Sequence, residues 1–152
     1  MSTLHIIHEE AFDAAPETVF RALHSPSAIC QWWSALRAIV LAEKGGTWAA
    51  VWGEDEDEPD YTTFATIRDF EPPRKLTLAD YRYGTKSGPL PFEADFVTSF
   101  EVIADSKGSR LRVTQDGFPD SAEGQSFRTA CTQGWKDTFA GMRRYLAEAP
   151  SS

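Results

Sequence analysis

Near the end of the chain Trp135, Phe139, Met142 and Leu146 recur at i, i+4, i+7 and i+11, one apolar stripe along an α-helix. The segment follows "GFPDSAEG", where Asp120 and Glu123 have the spacing of a capping box, and predicts a single helix from about Ser121 to Ala147. Such a helix needs a large partner for its stripe. Upstream, between Ala35 and Asp116, five or six β-rich runs are separated by Gly45-Gly46, the acidic "GEDEDEPD", Pro72-Pro73, "GTKSGPLP" and "DSKG". Strands with such short connections are antiparallel neighbours, so the expected partner is the concave face of a curved meander.

The N-terminal part reads as a strand, "LHIIHEEAF", then a short helix that Pro16 opens, with Val19, Phe20 and Leu23 on one face. Ser25-Pro26 starts a second short helix carrying Ile29, Trp32 and Trp33 at i, i+3 and i+4. The two indoles flank Ile29, ~100° apart around the axis, so they are expected to point different ways. Either one anchors the helix while the other walls a cavity, or both are core anchors.

A chain of 152 residues with 41% apolar content can build one sizeable core. One domain is expected over residues 1–149, with 150–152 as a flexible tail. A net charge of −8, with Lys and Arg scattered, argues against nucleic acid or an anionic membrane as partner. There is no run of eighteen apolar residues, and "MSTLHIIHEEAF" carries acid where a signal peptide would be apolar, so a cytoplasmic location without membrane insertion is expected. Cys30 and Cys131 form no CxxC pair and read as two buried thiols. His5 and His8 lie three apart on a strand, hence on opposite faces, and cannot chelate one metal together. His24 stands alone in a turn. The acidic "EDEDEPD" lacks the glycine and closing Glu of a calcium loop and reads as a solvated hairpin tip. "EKGGTW" leads into a strand, not into the helix that phosphate binding needs. Neither metal nor cofactor is expected.

Six strings, in order, carry a family likeness: "APETVFRAL", "QWW", "GGTW", "FEPPRKLTL", "RLRVTQDGF" and "GWKDTFAGMRRYL". Through them the chain resembles, over nearly its whole length, the homologues of the activator of the ninety-kilodalton heat-shock protein ATPase. These form a branch of the START-like (SRPBCC) helix-grip superfamily that also holds the birch-pollen allergen and the polyketide cyclases. The resemblance implies an α+β helix-grip fold: a seven-stranded antiparallel sheet wrapped around a long C-terminal helix, with two short helices after the first strand. A lipophilic cavity between sheet and helix often accompanies it. Fold alone does not name a reaction. The chaperone activators carry an additional N-terminal domain, for which this chain has no room, so a chaperone partner is the weakest of the expectations.

The residues themselves bear on the cavity. On "GTWAAVWG" a period of two puts Trp48, Ala50 and Trp52 on one face, with a notch between the indoles. On the long helix a second stripe, Ala130, Gly134, Thr138 and Gly141, is small. Glycines cost about 1 kcal/mol each inside a helix, so the stripe signals either a cavity or tight helix-sheet packing. Among ionisable candidates for catalysis (Asp80, Arg82, Tyr81, Tyr83, Arg68 and Glu101), alternation groups Asp80 and Arg82 with Leu76 and Leu78, and Tyr81 and Tyr83 with Thr77; either face can be the inward one. No catalytic constellation is visible. The candidate cavity residues are Trp32, Trp33, Trp48, Trp52, Phe64, Tyr81, Tyr83, Phe100, Phe118, Gly134, Trp135 and Thr138. The function expected is binding of a small apolar or aromatic molecule; the alternatives are a polyketide cyclase- or hydrolase-like enzyme and a chaperone-associated module. A homodimer is compatible with the sequence.

Overall fold

A computed structural model describes residues 3–88 and 94–148. Part of "GTKSGPLP" and the expected tail therefore lie outside the described residues. The element order is β1 (Thr3–Phe12), α1 (Pro16–His24), α2 (Pro26–Trp32), β2 (Arg37–Val40), β3 (Thr47–Trp52), β4 (Tyr61–Glu71), β5 (Lys75–Thr85), β6 (Val97–Asp105), β7 (Gly108–Pro119) and α3 (Ala122–Glu148). This is the expected α+β helix-grip arrangement. The seven strands form one antiparallel sheet in the order β1-β7-β6-β5-β4-β3-β2. Six strands make the meander, and β1 closes against β7 rather than against its sequence neighbour. The acidic "GEDEDEPD" joins β3 to β4 as the expected hairpin tip, where the Asp57 N–H donates to the Asp55 carboxylate.

Pro16 opens α1 and Ser25 caps α2, its hydroxyl accepting the Ala28 N–H at 3.3 Å. The start of α3 differs from the expected capping box. Ser121, not Asp120, takes the cap position and accepts the Gly124 N–H, while Asp120 accepts from the Gln125 side chain. The short hydroxyl reaches back to its own third residue better than the aspartate one position earlier.

The stripe of α3 behaves as read: Trp135, Phe139 and Met142 are buried and Leu146 packs at the margin of the same core. That core also takes Val19, Phe20 and Leu23 of α1 and Ile67, Leu76, Phe100, Leu111 and Val113 of the sheet. The helix lies chiefly against β1, β7 and α2. Because it rests toward one side of the sheet, space remains beneath it on the side of β3 to β6. Among the described residues no helix is long and apolar enough to cross a bilayer.

Candidate ligand cavity

A cavity of about 510 Å³ occupies that space. From α3 it is lined by Phe127, Ala130, Cys131, Gly134, Trp135 and Thr138, which fall on one face at helical spacing. The sheet contributes Trp48 and Trp52 of β3, Tyr61 and Thr63 of β4, and Leu78, Tyr81 and Tyr83 of β5. Phe96, Thr98 and Phe100 line it from around β6, Gln115 from β7, and Trp33 from the end of α2. None of these side chains carries a formal charge at neutral pH.

The small stripe of α3 serves both purposes that its sequence left open. A methyl group built on Gly134 meets nothing within 4 Å, so this glycine opens onto free space. At Gly141, two turns on, it would lie 2.5 Å from the Trp32 carbonyl oxygen. Gly134 therefore makes room, and Gly141 allows α2 and α3 to cross closely.

The tryptophans divide in a similar way. Trp32 Nε1 donates to the Ala22 carbonyl at 2.8 Å and Trp48 Nε1 to the Leu23 carbonyl at 3.1 Å. Both carbonyls belong to the last turn of α1, where the helix supplies no partner. Trp52 Nε1 donates to the Trp33 carbonyl at 2.9 Å, doing the same for α2. Three indoles thus fasten the two short helices while Trp48 and Trp52 also offer their faces to the cavity. Trp32 is buried outside the lining and only Trp33 of the pair walls the cavity. The expectation that the pair diverges is corrected: their rings stack at 4.9 Å and 24°. Trp33 sits at the C-cap, φ −102° and ψ −2°, and its ring lies over that of Trp32. Trp33 also meets Trp48, Trp52 and Trp135 with centroids 5.5–5.6 Å apart.

On β5 the inward face combines residues that simple alternation separates. Leu78, Tyr81 and Tyr83 all line the cavity, while Asp80 and Arg82 are exposed. The cause is a bulge: Phe64 pairs with Arg82 and Thr66 with Ala79, so Asp80 and Tyr81 together face Ala65. Asp80 takes φ +54° there, a left-handed conformation that aspartate tolerates better than most residues. β7 repeats the device at Gly117, φ +102°, which is skipped between the pairs His5–Asp116 and Leu4–Phe118. There a side chain would also strike the Asp95 carbonyl, 2.3 Å from an added Cβ. Gln115 and Phe118 consequently both turn inward.

Nine of the twelve candidates therefore line the cavity: Trp33, Trp48, Trp52, Tyr81, Tyr83, Phe100, Gly134, Trp135 and Thr138. Phe64 does not; it is 49% exposed on the outer face, because the inward positions of β4 belong to Thr63, Ala65 and Ile67. Phe118 lies one layer behind the wall, its ring against Phe96 and Phe127. The sequence reading missed Tyr61, Thr63, Leu78, Phe96, Thr98, Gln115, Phe127 and Cys131. Phe127 and Cys131 were readable, since they extend the face of Gly134 and Thr138 by whole turns.

Burial raises the proton affinity of every acidic group on the lining that shifts. Tyr81 is pushed well above the ordinary phenol range, against the opposing effect of its 2.8 Å hydrogen bond to Thr98 Oγ1. Tyr83 is pushed up to about 12, first by burial and then by its neighbour Tyr61, and the Cys131 thiol to about 11 by burial. Arg68 and Glu101, the remaining ionisable candidates, lie outside the lining. His8 and His5 fall on opposite faces as read, His8 against the Phe139 ring and bonded to Glu10. Among the described residues, no group of three His, Cys, Asp or Glu side chains is placed to hold a metal ion.

No curated protein matches the chain. Solved structures do. A Mesorhizobium loti protein superposes with a TM-score of 0.77 at 19% identity, covering 97% of this chain and 100% of that one. A protein from Rhizobium leguminosarum gives 0.78 at 18% identity, with 97% of each chain covered, and one from Rhodobacter sphaeroides 0.76 at 18%, covering 97% and 95%. These likenesses show a shared fold. The family model described as "Activator of Hsp90 ATPase homolog 1-like protein" matches residues 13–147, a span that begins just before α1 and ends within the last turn of α3. Gripping helix, sheet order and family match agree, and the chain belongs to the activator of Hsp90 ATPase homolog 1-like family.

Proposed function

We propose that the protein binds a small, uncharged, largely aromatic molecule between its sheet and α3. The observation that carries this reading is the opening at Gly134 onto a cavity of about 510 Å³ walled by aromatic rings and free of charged side chains. Its volume lies within the ~300–1,000 Å³ of ordinary small-molecule sites. A charged ligand would leave water for a surrounding with no counter-ion, at heavy cost. Rings from α2, α3 and the strands offer both faces and edges to a flat guest.

The test uses 1-aminoanthracene, a neutral tricyclic dye that brightens on leaving water. Wild type should give saturable enhancement together with a change in tryptophan emission, since four cavity indoles would adjoin the dye. Gly134→Leu fills the free space and should abolish the signal while leaving thermal stability close to wild type. A folded Gly134→Leu that binds the dye normally overturns the assignment. A large fall in its melting temperature would mean that Gly134 serves tight packing instead.

A further inference from the structure

One side of the cavity is a hydrogen-bond-donating corner. The ladder between β6 and β7 sets Thr98 directly opposite Gln115, and both line the cavity. Trp135 Nε1 lies 2.9 Å from Gln115 Oε1. An indole N–H can only donate, so the atom it meets must be the amide oxygen, and this fixes which way the amide lies. The Gln115 Nε2 group, with two hydrogens, is then left on the other side, and among the described residues no protein group accepts from it. Among the described residues no side-chain nitrogen or oxygen is both fully enclosed and unpartnered, so Nε2 is accessible rather than sealed in the core. Next to it the Tyr81 hydroxyl donates to Thr98 Oγ1 at 2.8 Å. That pair owns two hydroxyl hydrogens and spends one between its members, which leaves a second donor beside the first. Gln115 Oε1 and Thr98 Oγ1 each already accept one hydrogen bond within the cluster.

We propose that this corner selects a carbonyl oxygen on the aromatic guest, with Gln115 as the residue that determines specificity and Thr98 as its second donor. The inference rests on reading the cavity as a neutral aromatic site. Two donors on neighbouring strands, both on the cavity wall, match the two lone pairs of a ketone or quinone oxygen, whereas a hydrocarbon edge would leave both unpaired. A carboxylate offers the same lone pairs but brings a charge that these two neutral donors cannot offset. Trp135 acts through Gln115, as a positioning residue.

The experiment compares 9-fluorenone with fluorene, one skeleton with and without the carbonyl, as competitors for bound 1-aminoanthracene. In wild type the ratio of their affinities should favour fluorenone beyond the pair's own octanol–water partition by about three- to tenfold, the worth of one hydrogen bond. In Gln115→Met that excess should shrink, with Thr98 left as the one remaining donor, while fluorene binds as before. The infrared carbonyl band of bound fluorenone should stand at lower frequency in wild type than in a hydrocarbon solvent, a reading that needs no folded variant. A wild-type ratio no greater than partition, an unshifted band, or an unchanged ratio in Gln115→Met overturns the carbonyl corner and leaves the aromatic site standing. Failure of wild type to bind any of the three compounds overturns both.

Discussion

Gly134 and Gly141 are the same residue on the same helix, and they answer opposite physical demands. At Gly134 an added methyl touches nothing, so Gly134→Ala should stabilise the protein by up to ~1 kcal/mol through helix propensity alone. Gly141→Ala should destabilise it by ~1–3 kcal/mol, because the methyl would press on the Trp32 carbonyl. Urea midpoints of the two variants against wild type check both signs. Trp48 shows a similar doubling of roles within one side chain: its ring faces the cavity and its N–H holds the end of α1. Trp48→Phe should therefore cost stability, ~1–3 kcal/mol for the Leu23 carbonyl left without its partner, as well as altering the response to a guest. A thermal-denaturation series read beside dye titration separates the two effects.

Among the elements, the bulge at Asp80 decides what the cavity contains. Asp80→Gly should keep the fold with little change in stability, since glycine adopts a positive φ freely. Asp80→Val should lose ~1–2 kcal/mol, and by favouring a regular ladder it should move Tyr81 and Tyr83 off the inward face. Urea unfolding together with phenol absorbance titration would register both consequences. The same bulge marks where the sequence stopped being readable. Five or six meander strands, two Pro-opened helices and the long helix followed from turn residues and apolar spacing, because those signals are local. The face of β5 did not, because a count of two per residue pair runs through Asp80 without notice: no glycine or proline flags the slip. Trp33 was legible as one of two options, and only its place at the end of α2, stacked on Trp32 and facing the cavity, chose between them. Gln115 and Thr98 carried no signal at all, since an amide and a hydroxyl on strands ordinarily face water; what turns them into a site is the ring of Trp135 arriving from a distant helix. Phe64 is the converse case, an aromatic residue chosen for its type although Thr63, Ala65 and Ile67 already claimed the inward positions.

For the whole molecule, stability against pH should form a plateau with two identifiable edges. His24, wedged between Phe20 and Phe70, has its pKa lowered from 6.5 mainly by burial. The unfolded chain then takes up that proton first, so stability is retained above pH 6.5 and falls as the pH drops below it. Cys131 and Tyr83 are shifted upward, from 9.0 to about 11 and from 10.0 to about 12. Here the unfolded chain loses its protons first, so stability holds up to pH 9 and declines as the pH rises beyond it. Urea unfolding from about pH 5 to 10 should show both edges. His24→Leu should flatten the acid one and Cys131→Ala should delay the alkaline one. The closing of β1 on β7, which puts Thr3 opposite Pro119, has a further consequence in time rather than in energy. On the ribosome the first strand is finished long before β7, its neighbour in the sheet, exists. At ~5–20 residues per second, roughly 6–23 s separate the synthesis of the two partners. Through that interval Ile6 and Phe12, buried in the finished sheet, have no strand beside them, and the nascent chain carries an unpaired apolar edge until almost the last helix is made.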